Sequence, residues 1–166
     1  MTDDASQPMS DEQAAMHRKS AVDLFNHTWT LMMKASRTVE EDSQMVHAAH
    51  ASAWHWRQVG TPVNFARSEW QCSRVYALLF QSEASRRHAQ RCLDLCHEHA
   101  IGGFDEAFAL EALARAAAVA GDTETYQRYQ RDAAAAGEKL EKEEDRTYFF
   151  CELNGIPEWI AQSNMQ

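Results

Sequence analysis

This sequence predicts an all-α architecture: a stack of three antiparallel helical hairpins, closed by a seventh helix. Three observations point there. Chain breakers are scarce, with 6 glycines and 3 prolines among 166 residues, while alanine, the strongest helix former, occurs 27 times. The breakers that do occur sit between segments that begin with capping residues. The turns themselves recur at a spacing of 41 residues. β-Branched residues are sparse and never alternate over a useful length, so strands have no support.

Taken in order, residues 1–9 are polar, contain Pro8 and are expected to form a disordered N-terminal segment. Ser10-Asp11-Glu12-Gln13 caps a first helix that runs to about Ser36. Thr38-Val39-Glu40-Glu41 supplies a turn and a capping box for a second helix, which runs to Val59. Gly60-Thr61-Pro62 stops it and opens a third with proline in the first turn. That helix reaches about Phe80, and Ser82 caps a fourth that ends near Ala100-Ile101-Gly102-Gly103. The fifth covers Phe104 to Ala120, where Gly121-Asp122 is a stop followed at once by a cap. The sixth runs to about Glu141, and a seventh from Glu143 to Leu153 ends at Asn154-Gly155-Ile156-Pro157. The result is one domain over 10–157 with a C-terminal tail at 158–166. Short connections make neighbouring helices antiparallel. A chain of this size buries roughly two-thirds of its unfolded surface without disulfides or metal.

At the spacing of 41, Arg74-Val75-Tyr76-Ala77 aligns with Arg115-Ala116-Ala117-Ala118, and Phe80-Gln81-Ser82-Glu83 with Gly121-Asp122-Thr123-Glu124. One step back sets Trp29 under Trp70, and His47 under His88 and Tyr129, while Ala51, Cys92 and Ala133 share a column. The segment Glu106 to Arg115, followed by Gly121-Asp122, resembles the first helix and turn of a tetratricopeptide repeat. Ala133 stands where that family's second helix carries a small residue for close packing. The resemblance covers about 104–137, and more distantly 64–100 and 25–60. The chain departs from the family in its period, 41 against about 34, in its longer helices and in lacking the proline that ends each unit. The resemblance implies a right-handed stack of hairpins whose first helices line one concave surface.

On the fifth helix, at about 100° per residue, Leu110, Leu113, Ala114 and Ala117 point one way. Phe108, Glu111 and Arg115 point the other. The matching columns hold Arg67, Trp70 and Arg74 on the third helix, and Asn26, Trp29 and Met33 on the first. Arginine and tryptophan are frequent anchors of binding surfaces. A non-enzymatic scaffold that binds a protein or peptide partner is therefore expected. Its groove would consist of Trp29, Arg67, Trp70, Arg74, Glu111 and Arg115. Arg74 and Arg115 would hold an anionic group, with Trp70 stacked beside it and Trp29 as apolar anchor. A plainer reading stands beside it: Glu111 and Arg115, four apart, pair with each other, and both tryptophans enter the core if the face is rotated by one position.

Other chemistry has less behind it. Lys and Arg total 16 against 25 Asp and Glu, a net charge of −9 that repels phosphate backbones, so no nucleic-acid partner is expected. The longest apolar run, Val75 to Phe80, is far short of the ~20 residues a bilayer crossing needs, so no membrane partner is expected either. The first residues lack a basic region followed by an apolar one, which makes the cytoplasm the expected location and reduced thiols the expected state of Cys72, Cys92, Cys96 and Cys151. No Gly-x-Ser-x-Gly elbow, phosphate loop or dinucleotide fingerprint occurs. An alternative is a metal-dependent or small-molecule-binding protein using His47 and His50, three apart on the second helix. His88 and Cys92, in a His88-Cys92-Cys96-His99 stripe, are further metal candidates, but one rigid helix cannot wrap four ligands around an ion. No cofactor is expected. Self-association through exposed aromatics into a homodimer is a third reading.

Overall fold

The computed structural model describes residues 9–163. The expected disordered segment therefore lies, apart from Met9, outside the described residues. Seven helices occur among these residues and no strand. They are α1 (Asp11–Met32), α2 (Val39–Val59), α3 (Pro62–Leu78), α4 (Ser82–Glu98), α5 (Phe104–Ala120), α6 (Thr123–Gly137) and α7 (Glu143–Ser163). No helix among them is long and apolar enough to cross a membrane.

Local chemistry sets most ends. Ser10 with Gln13, and Thr38 with Glu41, form reciprocal capping boxes that satisfy otherwise orphaned N–H groups at the starts of α1 and α2. Pro62 opens α3, where its missing N–H costs nothing. The Asp122 side chain accepts from the Thr125 N–H and starts α6. Ser82 is not the cap of α4; it is that helix's first residue, and Gln81 occupies the N-cap position without a side-chain hydrogen bond.

Two turns that lie 41 residues apart share one backbone form. Phe80 and Gly121, 41 apart, both take left-handed φ values, 55° and 71°. The amide of the following residue then reaches back over the helix end in both turns, Gln81 to Tyr76 at 2.9 Å and Asp122 to Ala117 at 3.0 Å. This is the Schellman closure, which favours glycine at the left-handed position. Gly121 meets that preference, whereas Phe80 adopts the conformation against it.

The hairpins are antiparallel, as paired residues show. Ser52 donates to the Ala21 carbonyl across α1–α2 at 2.8 Å, and His17 meets His55 in the same pair. Ser73 meets Ser85, and Glu69 meets His88, across α3–α4. Odd-numbered helices run parallel to each other: Trp29 touches Trp70, Arg67 and Trp70 meet Asp105 and Phe108, and Phe108 meets Phe149. Three adjoining apolar clusters follow, centred on Met45 and Val75, on Leu95 and Leu113, and on Phe149 and Ile156.

Two differences from the sequence expectation bear on the site. First, α5 is central. Every residue from Ala107 to Ala117 except Leu110 is buried, so this helix has no open face. Second, α7 does not stop at Asn154–Pro157 but continues through Pro157 to Ser163. Burial of Leu153 and Ile156 against α5 and α6 holds this part of the helix in place. α7 lies parallel to α5, as α3 does, and packs against both α5 and α6.

Candidate functional site

α1, α3, α5 and α7, with Cys92 of α4, line a half-open cavity of about 320 Å³. Its wall is Phe25 and Trp29 from α1, Arg67 and Trp70 from α3, Cys92 from α4, Phe104, Asp105 and Phe108 from α5, and Tyr148 from α7. The rings meet edge-on or tilted. Trp29 and Trp70 have centroids 5.7 Å apart at 44°, and Trp70 and Phe108 stand at 5.7 Å and 81°. Phe108 also touches Phe104 at 4.6 Å and Tyr148 at 5.7 Å. Such contacts suit the ring quadrupoles but fill space poorly compared with interlocked aliphatic chains. The Trp70 indole N–H is buried and has no hydrogen-bond partner among the described residues, a state that native structures seldom leave unexplained.

Arg67 stands on the wall with its side chain 55% exposed and grips Asp105 with both nitrogens, Nε at 2.6 Å and Nη2 at 3.0 Å. The bond to Asp105 raises the guanidinium's affinity for its proton.

Farther along the same helices lies a buried ionic group. The sequence places Arg74, Glu111 and Arg115 on an open concave wall; the structure covers them. Glu111 is 0% exposed and Arg115 6% exposed. Arg115 holds Glu111 Oε1 through Nε at 2.9 Å and through Nη2. Arg74 Nη1 reaches Glu111 at 3.4 Å and Glu152 of α7 at 2.9 Å, and Arg115 comes within 3.5 Å of the same Glu152 carboxylate. The physical reason is α7: its Glu152 neutralises what would have been an open arginine pair. Burial lowers the pKa of Arg115, opposed by the charge of Glu111. The helical Glu111–Arg115 pair is thus real, and Arg74 also lies 5.7 Å from the centre of the Trp70 ring.

Trp29, Arg67 and Trp70 therefore line the cavity, while Arg74, Glu111 and Arg115 form the ionic layer beside it. Phe25, Phe104, Asp105 and Tyr148 of the wall, and Glu152 of the ionic layer, are not among the residues the sequence singles out, and Cys92 enters as a wall residue where the sequence offers it as a metal candidate. A signal for α7 was present: 41 residues on from Phe108 and Glu111 stand Phe149 and Glu152.

The metal candidates do not assemble as expected. His47 is exposed. His50 is exposed as well but leans on α3 and α4, with Nε2 2.9 Å from the Tyr76 hydroxyl and its ring 5.3 Å from that of His88. His88 Nδ1 is 2.7 Å from Glu69, which also holds Arg57. Burial, then the neighbouring His88, lower the His50 pKa. Cys92 is buried, and its contact with Cys96 followed by burial keep its thiol protonated; burial pushes Cys72 up to about 12. Among the described residues no group of three or more His, Cys, Asp or Glu side chains is placed to hold a metal ion. All four cysteines are free.

Comparison with protein-family models, with curated proteins and with solved structures finds no match.

Proposed function

We propose that this chain is a tetratricopeptide-like scaffold that takes one large apolar side chain of a peptide or protein partner into the Trp29–Trp70–Phe108 cavity. The cavity is the observation that carries this reading. Its 320 Å³ lies at the lower end of the range of ligand sites, ~300–1,000 Å³, and suits a single aromatic or branched aliphatic group. Six of its nine wall residues are aromatic. The charged groups beside it, Arg67 with Asp105 and Arg74 and Arg115 with Glu111 and Glu152, are matched within the chain. An ionic occupant would lose its hydration without gaining an unmatched partner, so a neutral one is favoured.

The anionic group expected of the partner has less support than its apolar anchor, because a carboxylate would have to displace Glu111 or Glu152. Arg67 is the exposed arginine that a partner meets first. The common direction of α1, α3, α5 and α7 supports a stack whose first helices share one working face.

The test is a random peptide library displayed on phage and selected against the tag-free chain. Enriched peptides should share one aromatic or large aliphatic residue. Trp29→Ala should weaken them by about 2 kcal/mol or more, with helical circular dichroism unchanged. Enrichment without an apolar consensus, or equal capture by Trp29→Ala, would overturn the reading.

A further inference from the structure

Away from the cavity, the α1–α2 hairpin brings two imidazoles together. His17 and His55 lie 38 residues apart in sequence, and their Nδ1 atoms are 2.9 Å apart. The rings are tilted at 52° with centroids 5.0 Å apart. The Trp54 indole packs on both, at 5.4 Å and 5.0 Å, and is itself 56% exposed. Both histidines are half-buried, so the convergent nitrogens sit at the surface of the hairpin and not in its core. Partial burial, then the neighbouring His17, lower the pKa of His55 and favour its neutral form, which is the form that ligates metal ions.

Two neutral imidazoles so placed share one proton, with one Nδ1–H donating and the other Nδ1 accepting. The same spacing suits a shared ion. With metal–nitrogen bonds of ~2.0–2.1 Å, two ligands at this separation subtend about a right angle. That is the cis arrangement of tetragonal or octahedral sites, the geometries of Cu(II) and Ni(II), ions for which imidazole is a good ligand. We propose that His17 and His55 form a two-imidazole site for a late divalent transition-metal ion, Cu(II) or Ni(II), bridging α1 and α2. The shared proton moves to the Nε2 of its own ring, both Nδ1 lone pairs turn to the ion, and no proton is released. No third protein ligand joins the group among the described residues, so water fills the remaining positions and the ion stays open to an outside ligand.

The site shares no residue with the aromatic cavity, and it stands or falls separately. The test is calorimetric titration of the full, tag-free chain with nickel chloride. The wild type should bind one saturable equivalent, and either His17→Gln or His55→Gln should lose it. His50→Gln, which alters the other histidine cluster, should keep it. Because the ion ties two helices together in the folded state only, nickel should raise the melting temperature of the wild type and not of the two site variants. A measurement that needs no variant is electron paramagnetic resonance of the copper-loaded wild type, which should show two equatorial nitrogen ligands. Absence of a saturable equivalent, its survival in both site variants, or a copper spectrum with no nitrogen ligand would show that the pair is a hydrogen bond and nothing more.

Discussion

Two neighbouring levels of the molecule are built on α3, α5 and α7 and end in opposite states. At the level of Trp70, Phe108 and Tyr148, rigid rings meet at steep angles and leave a cavity. Farther along, at Arg74, Glu111, Arg115 and Glu152, long flexible side chains reach across and close on one another. The difference is one of shape and reach: rings with two torsions cannot follow a gap, whereas arginine and glutamate bend until their charges meet. The stiff level thus leaves open space between the helices, and the ionic one ties them together.

The sharpest break in this contrast is Arg115→Ala, which strips a wholly buried Glu111 of its closest partner. Loss of one member of a buried pair costs about 3–5 kcal/mol, and denaturant unfolding should show a midpoint lowered to match. Arg115→Met combined with Glu111→Leu should recover most of that loss, since an apolar pair of similar volume needs no desolvated charge. A smaller effect is expected from Gly137→Ala. A methyl there would press into the Phe149 ring and push α7 outward, at about 1–3 kcal/mol, disturbing both levels together. Smallest is Arg67→Ala. Its bond to Asp105 is short, but the arginine is largely exposed, and such pairs contribute about 0–1 kcal/mol. The melting temperature should barely move, while peptide capture in the cavity changes through its exposed wall.

Much of the fold was legible because helix ends are local events. The bounds of α5, the capping box at Thr38 and the turn at Gly121–Asp122 follow from a few adjacent residues whose hydrogen bonds do not depend on distant packing. Ser82 misled because Gln81 precedes it and the helix starts without a side-chain cap. Pro157 misled because Leu153 and Ile156 gain enough burial to carry the helix past it. The column Trp29–Trp70 is in contact, and Arg74 meets Glu111, one helical turn before its own column partner Arg115. Whether such a column faces water or another helix depends on what lies next to it, and no periodicity within α5 reports on α7. Extending the 41-residue step from Glu111 to Glu152 would have shown a carboxylate waiting opposite the arginines.

The most direct measurement is a heteronuclear NMR titration of the indole N–H signals with N-acetyl-tryptophanamide, a peptide-like carrier of one large ring. A cavity that accepts an apolar side chain predicts saturable shifts of the Trp29 and Trp70 signals, with the exposed Trp54 signal unmoved. Shifts that never saturate, or that appear equally at Trp54, would contradict it.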